Sequence, residues 1–430
     1  MNSVLKNIKG ANDSLPNEQI VKNHIIDIMK ETFENFGYLP LETTTLCTYE
    51  LLSSKYAGGA EILKEIYTLK DQGNREIGLR YDLTVPFAKV IAMNSKKEIT
   101  LPFRRYEIGK VFRDGPVKVG RVREFYQCDV DLCGLSGTYP EVEILSMASL
   151  LYKKLGINIE IQWNNRKLLS GLILEAGIKE EDVTKVILSV DKLAKIGKDG
   201  IKEELKEINI DNNKLDKLFS YFNLTIDKLD EINTNNEVLK EGIKEVKEVD
   251  YYLKELKLDE CVFTPYLARG LEIYTSTIWE VFDKEKNVTS SIGAGGRYDK
   301  IITNFINDGN TYPAVGMTFG LVPIYEIVSK LQIEASFYDL FIIPMDTKIE
   351  ALKLANKIRE NNINVLIEMT DKKVKKSFEW ANKNKVKYVI VLGEEEINSS
   401  IIKLKNMDSG KEFEVNINDI DKIVKIITSE

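Results

Sequence analysis

Histidine is almost missing: His24 is the single one in 430 residues. Catalysis by a histidine dyad or triad is therefore excluded, and so is a histidine-ligated metal. Cysteine is sparse. Cys47, Cys128, Cys133 and Cys261 form no CxxC pair, which fits free thiols in a reducing compartment better than a disulfide frame or a zinc site. No apolar run is long enough to cross a bilayer, so no membrane partner is expected. The opening Met1-Asn-Ser-Val-Leu-Lys has no apolar h-region of a signal peptide, and a cytoplasmic location is expected. An excess of basic charge is also lacking. With 60 Lys+Arg against 67 Asp+Glu the net charge is −7, so any contact with nucleic acid must come from local clusters.

Arginine is scarce within that basic set, at 11 of the 60, and its placement is informative. Arg80, Arg104, Arg105, Arg113, Arg121 and Arg123 fall within 44 residues, and Arg269 and Arg297 lie in later segments containing Gly and Tyr. A chain that prefers lysine has kept the planar bidentate fork at these places. That fork matches phosphate and carboxylate in a way an ammonium does not. The expectation is a polyanion site assembled from two distant stretches; the alternative is a set of surface ion pairs.

The length exceeds one ordinary core. Residues 17–36 have the spacing of an amphipathic helix, with strands expected at 38–41, 76–80, 103–112 and 124–132, a helix at 140–155 and a strand at 157–163. From about 168 to 257 the chain is rich in Lys and Glu and helical in period. Strand signals return at 272–282 and 290–295, and 313–330 reads as a Gly-punctuated strand running into a helix. Beyond a boundary near 330–337, strands and helices alternate, with a hairpin at 401–416, as in a parallel α/β unit. The expected organisation is an α+β domain over 1–168 and 257–330, a helical insertion at 169–256, and an α/β domain over 337–430.

Three constellations carry chemistry. In Leu79-Arg-Tyr-Asp-Leu-Thr-Val-Pro-Phe87, Asp82 and Thr84 place a carboxylate and a hydroxyl two residues apart, a spacing suited to an ammonium group. Tyr106–Arg113, a polar loop over 114–120, and Arg121–Asp131 read as two antiparallel strands with Arg113 near the exit, Arg121 and Arg123 near the re-entry, and Phe125 offering its face to a base. Gln127, Asp129 and Asp131 alternate with Tyr126, Cys128 and Val130, so three polar groups share one face, poor for a core and good for a pocket floor. The third is a pair of later segments, Leu267–Val281 with Arg269 and Tyr274, and Ser291-Ile-Gly-Ala-Gly-Gly-Arg-Tyr-Asp299.

These segments resemble the class II aminoacyl-tRNA synthetases. Arg-Glu-Phe-Tyr-Gln-Cys-Asp looks like their motif 2, and Arg269-Gly-Leu-Glu-Ile-Tyr274 resembles the histidine signature of the histidyl-tRNA synthetases, in wording close to the eukaryotic-type branch. The resemblance covers essentially the whole chain. It implies an antiparallel catalytic sheet flanked by helices and a C-terminal anticodon-binding domain. It also implies activation of L-histidine with ATP, accompanied by Mg2+, and transfer to tRNA(His). By resemblance Asp82 and Thr84 meet the α-ammonium of histidine, Gln127 and Arg269 its carboxylate, and Asp131 and Tyr274 bracket its imidazole, with Tyr298 in the same pocket. Arg113 grips the α-phosphate, Arg121 or Arg123 the γ-phosphate, and Phe125 stacks on adenine; the Mg2+ ligands are not assigned. A homodimer is implied through residues 33–46.

The pattern departs from the family at Pro323, where motif 3 carries an arginine, at Ile273 and at Thr44. Lys110 or Lys118 would have to substitute for the missing cation. The Pro323 departure keeps two other readings open, a weak paralogue that senses histidine or tRNA, and the regulatory subunit of ATP phosphoribosyltransferase.

Overall fold

A computed structural model of the chain describes residues 4–54, 63–117, 121–206, 208–269, 273–331, 337–370 and 372–429. Lys118 and residues 270–272 of the histidine signature lie outside these. The chain forms two compact units, Met1–Gln332 and Ile333–Glu430.

The first unit is built on an eight-stranded sheet. Its strands are β1 (Leu39–Pro40), β5 (Phe103–Phe112), β6 (Glu124–Cys133), β7 (Ile159–Asn165), β8 (Cys261–Phe263), β9 (Thr277–Asp283), β10 (Gly293–Arg297) and β11 (Ala314–Gly320), in the order β1-β5-β6-β11-β10-β9-β7-β8. The six central strands are antiparallel. Both edges are parallel, β1 on β5 and β8 on β7, so the sheet is mixed and not antiparallel throughout as expected. Parallel neighbours need long crossovers, supplied here by residues 41–102 and 166–260. β2 (Leu46–Thr48), β3 (Thr68–Lys70) and β4 (Glu76–Leu79) form a separate small antiparallel sheet. β2 and β3, of three residues each, are too short to show an alternation in sequence.

One face of the large sheet is apolar. Cys128, Val130 and Leu132 of β6 and Val315, Met317 and Phe319 of β11 are buried in a core shared with the helices Pro16–Asn35, Tyr139–Lys154 and Leu321–Val328. The first of these helices presents Ile25, Met29 and Phe33 at four-residue spacing, opens with Pro16 where no intrahelical N–H is needed, and runs out at Gly37, which has φ +76. The other face meets the helices Thr84–Asn94 and Lys300–Ile306 at one end. The rest of that face holds Arg105, Glu107, Gln127, Asp129, Asp131 and Thr318, with the apolar Val111 and Ile278 buried on it too.

Between β7 and β8 the described residues form five α-helices, Arg166–Glu175, Val183–Val190, Leu193–Lys206, Asn212–Tyr221 and Glu237–Glu255. The last buries Leu239, Ile243, Val246, Val249 and Leu253, the stripe that its helical period implies. The strand expected from residue 272 begins at Thr277. The preceding Thr275 and Ser276 hydroxyls bond the Asp299 carboxylate at 3.0 Å and the Glu245 carboxylate at 2.6 Å.

In the second unit β12 (Leu340–Pro344), β13 (Val365–Ile367), β14 (Tyr388–Leu392), β15 (Ile401–Asn406) and β16 (Glu412–Asn416) order as β13-β12-β14-β15-β16. The first three are parallel and the last two form the antiparallel hairpin. The short helix Glu394–Ser399 went unread in the sequence.

Candidate active site

Strand register assembles the polar face. β6 lies between β5 and β11, so each of its three polar residues has a neighbour on both sides. Asp131 sits between Arg105 and Gly316, Asp129 between Glu107 and Thr318, and Gln127 between Gly109 and Gly320. The glycines are where space is shortest. A Cβ on Gly316 would lie 2.0 Å from Asp131 Oδ1, and one on Gly109 would lie 2.3 Å from Arg80 Nη2.

The charges on this face form a chain. Arg80 Nη1 donates to Glu107 Oε1 at 2.8 Å, and Arg80 Nε donates to the Lys110 carbonyl at 2.8 Å. Thr43 donates to the same Glu107 oxygen through its N–H and its hydroxyl, both at 2.9 Å. Arg105 Nη1 stands 3.7 Å from Glu107 Oε2, while its Nη2 lies 2.6 Å from Asp131 Oδ2 and donates to the Leu83 carbonyl at 3.2 Å. The contact with Asp131 is close but off the hydrogen-bond line, a charge–charge approach. The guanidinium also rests over the Phe87 ring at 4.6 Å. The Tyr298 hydroxyl donates to Asp131 Oδ1. Removing one partner from a buried pair of this kind costs on the order of 3–5 kcal/mol, because the other charge is left uncompensated.

Two buried arginines, Arg80 and Arg105, face three buried carboxyl groups, Glu107, Asp129 and Asp131. Burial raises the Asp129 carboxyl well above its usual range, against the pull of Arg105, and one of its oxygens has no hydrogen-bond partner among the described residues. Burial also raises Asp131, opposed by Arg105 and the Tyr298 hydroxyl. Asp82 is pushed up to about 6 by burial, opposed by the Val85 N–H it accepts at 3.1 Å and by Arg113 and Arg105. Its carboxylate thereby caps the helix Thr84–Asn94.

Thr84, Asp131, Tyr274 and Tyr298 line one cavity together with Asp129, Thr318 and Gly316. It is narrow, about 30 Å³, enough for a water molecule, so an entering ring must push side chains outward. Gln127 borders the same tile and donates to Thr318 Oγ1 at 3.3 Å, leaving its own carbonyl oxygen unpartnered among the described residues. Arg269 lies over the Tyr274 ring at 5.9 Å and pairs with Glu280 of β9. Its expected companion Gln127 is engaged elsewhere.

At the far end of β5, Arg113 donates from Nε to the Tyr81 carbonyl at 3.1 Å and lies over the Phe125 ring at 5.2 Å. Burial lowers its pKa, with Asp82 and Glu65 opposing. Arg121 pairs with Glu65, and Arg123 with Asp114 at 3.2 Å and the Gly115 carbonyl at 3.3 Å. Lys110 is held by Glu124 at 2.5 Å.

The eight-arginine site expected from the sequence is therefore smaller. Arg297 is clamped by Glu141 at 2.7 and 2.9 Å, Arg104 pairs with Glu143 at 3.2 Å, and Arg80 and Arg105 are buried. Pro323 occupies the third position of the helix Leu321–Val328, where proline is tolerated, and packs on Gly320. The sequence reading flagged the face of Asp129 without giving it a task. It placed Arg105 among the anion-binding arginines instead of beside Asp131, and it missed Glu107 and Thr318, since what a strand residue faces is unreadable until its cross-strand partner is known.

A larger open depression of about 620 Å³ lies on the helical stretch, bordered by Lys240, Lys244 and Lys247. Its charges make surface pairs such as Lys240–Glu237 at 2.8 Å, unlike the buried set on the sheet.

The chain's resemblances to known proteins span nearly its whole length. The family model described as Histidyl-tRNA synthetase matches residues 10–324, and that described as Anticodon binding domain matches 339–427. Histidine--tRNA ligase 1 of Bacillus cereus is 46% identical over 424 residues, covering 97% of this chain and 99% of that protein. Histidine--tRNA ligase of Clostridium tetani is 35% identical, covering 97% of each. Among solved structures, histidyl-tRNA synthetase from Nostoc sp. PCC 7120 superposes with a TM-score of 0.86 at 25% identity, over 98% of this chain and 99% of that one. An ATP phosphoribosyltransferase regulatory subunit/histidyl-tRNA synthetase from Bacillus halodurans gives 0.76 at 20% identity over 91% and 99%, a likeness of fold alone. With both matched regions spanning nearly its whole length, and a mixed sheet whose centre is antiparallel, the chain belongs to the histidyl-tRNA synthetase family.

Proposed function

We propose that the polar face of β5, β6 and β11 is the floor on which L-histidine is activated by ATP before transfer to tRNA(His). The chain is a class II aminoacyl-tRNA synthetase and a histidine–tRNA ligase. The observation that carries the site reading is the buried tile with its surplus carboxylate. An α-ammonium held by Thr84, Asp82 and Asp129 supplies the missing positive charge, and favours the ionised carboxylates it meets. Asp131 and Tyr274 take the imidazole, with Tyr298 fixing the Asp131 carboxylate. An apolar isostere of the ring would leave Asp131 buried and unpaired, the basis for rejecting it. Gln127 and Arg269 hold the substrate carboxylate, which requires Arg269 to leave Glu280.

In the reaction the histidine carboxylate oxygen attacks the α-phosphorus of ATP, the bond to the bridging oxygen of pyrophosphate breaks, and histidyl-adenylate forms. The carboxylate is already a nucleophile, so no protein base is required, consistent with a single histidine outside the cleft. Catalysis is in-line positioning plus charge stabilisation, with Arg113 on the α-phosphate, Arg121 or Arg123 on the γ-phosphate, and adenine on Phe125. The acyl group then passes to the terminal ribose of tRNA, releasing AMP. Mg2+ enters as the counter-ion of ATP. Among the described residues no cluster of three carboxylate, cysteine or histidine side chains forms a cage.

We assign catalysis to 1–168 and 257–330, a clamp on the tRNA acceptor arm to 169–256, and anticodon binding to 337–430, the last supported by the family match. A homodimer through residues 33–46 is part of this reading. A 49 kDa sedimenting species at micromolar concentration would refute it. A cytoplasmic location is part of this reading and agrees with four free cysteines. The eukaryotic-type branch rests on motif wording alone, since the relatives named above are bacterial; grouping by a phylogeny of full sequences tests it.

Histidine-dependent ATP–pyrophosphate exchange, followed by charging of tRNA(His), tests the function. Pro323 favours one other reading, a histidine-binding paralogue with weak adenylation. Histidine binding without exchange would select it.

A further inference from the structure

We infer that Arg105 is a positioning residue for histidine selection, acting through Asp131. The inference rests on the proposed placement of the imidazole against Asp131. It assigns a task to a residue that touches no substrate atom in that placement.

The geometry carries the case. Arg105 lies directly opposite Asp131 in the β5–β6 register, is fully buried, and brings Nη2 to 2.6 Å from Asp131 Oδ2. Its other anchors fix the guanidinium independently of any ligand: the Leu83 carbonyl at 3.2 Å, the Phe87 ring at 4.6 Å and Glu107 Oε2 at 3.7 Å. Leu83 and Phe87 flank Thr84, so the same cation ties the ammonium corner of the pocket to its ring corner. On the Asp131 side, Tyr298 holds Oδ1, and Gly316 provides the space it occupies, since a Cβ there would lie 2.0 Å from Oδ1.

The surroundings of Asp131 are otherwise acidic or neutral. Glu107 lies diagonal to it on β5, opposite Asp129, and Asp129 stands two residues away on β6. Asp82 lies beyond Thr84, and the phenols of Tyr38, Tyr274 and Tyr298 and the Cys133 thiol are near enough to interact. Burial alone drives the Asp131 carboxyl toward its protonated form, and Arg105 is the largest influence opposing that. A protonated Asp131 offers the imidazole an O–H where a carboxylate would accept an N–H, so the preferred ring tautomer is lost. Arg105 thus keeps an acceptor facing the ring at neutral pH.

The test uses the full chain. Exchange kinetics are measured for the wild type, Arg105→Met, Arg105→Lys, Asp131→Asn and the double variant Arg105→Met/Asp131→Asn, from pH 6.5 to 9. Folding is checked by near-UV circular dichroism. Arg105→Met is expected to raise KM for histidine by on the order of 100-fold at pH 7 while moving KM for ATP less than about twofold. The defect should shrink as pH rises and Asp131 ionises, relative to the wild type over the same range, and Arg105→Lys should recover part of it. In the Asp131→Asn background, Arg105→Met should add little, because the residue it acts through is already neutral. A pH-independent defect, equal losses for histidine and ATP, or full additivity in the double variant would overturn the inference. If Arg105→Met does not fold, Arg105→Lys and the pH profile decide it: a defect in Arg105→Lys that does not ease with pH also overturns it. A wild type without histidine-dependent exchange would instead fault the functional reading.

Discussion

The two sheets of this chain solve different problems. In the first unit the described residues bury Arg80, Arg105, Glu107, Asp129, Asp131, Glu141 and Arg297, while in the second the buried polar residues are Thr347, Ser377 and Asn406, none charged. β12 and β14 are apolar on both faces, packed between the helices Lys348–Arg359 and Ile420–Thr428 on one side and Val374–Lys383 on the other. On the reading proposed above, the first sheet tolerates desolvated charge on one face because histidine is bound there, and the second keeps its charges at the surface, where tRNA would meet them. Substitutions should therefore act all-or-none on the first sheet and gradually on the second.

The largest effect expected from this contrast is at Arg269. Arg269→Ala should lower exchange turnover by on the order of 100-fold or more, with modest change in ATP binding, because in the proposed complex its fork leaves Glu280 for the reacting carboxylate. Near-normal exchange would remove it from the mechanism. Next comes Gly316→Ala. With a Cβ 2.0 Å from Asp131 Oδ1, the carboxylate must shift, and KM for histidine should rise on the order of tenfold or more while KM for ATP holds. An unchanged KM would mean that the tile yields, and that it is less rigid than the second unit's core.

A smaller, graded effect is expected in the second unit. Lys372, Lys373, Lys375 and Lys376 are exposed around the start of the helix Val374–Lys383. Neutralising all four should flatten the salt dependence of tRNA affinity and leave histidine activation untouched. An unchanged slope, or an equal loss in exchange, rules the patch out. Smallest is a stability effect at Asp82. Its folded value of about 6 exceeds the ordinary 3.8, so the charged carboxylate opposes folding above pH 6, and that penalty fades as pH falls toward 3.8. Asp82→Asn should raise Tm by about 2 °C or less at pH 7.5, not at pH 3.5, while impairing histidine activation. Equal Tm shifts at both pH values would show that the effect is not the carboxylate's charge.

Much of this contrast could be read in advance, and for unequal reasons. Alternation in Gln127–Asp131 gave the polar floor because side-chain period follows directly from strand geometry. The C-terminal unit was legible because its strands alternate with helices of ordinary length. Arg105 and Arg297 were not separable from Arg113 in sequence, since what divides them is the strand across the way: Asp131 for the first, and for the second Glu141 on a helix 156 positions earlier. The parallel edges were hidden because strands of two and three residues carry no period.

Three arginines proposed for the nucleotide and substrate carboxylate already have anionic companions: Arg121 with Glu65, Arg123 with Asp114, Arg269 with Glu280. On that proposal, substrate entry at these positions is ion exchange inside the protein. An incoming phosphate or carboxylate displaces a tethered carboxylate, and few counter-ions are released to solvent. The free energy of binding is then a difference between two pairings, and ATP affinity should fall less steeply with added salt than the lysine-borne affinity for tRNA, whose partners start out hydrated.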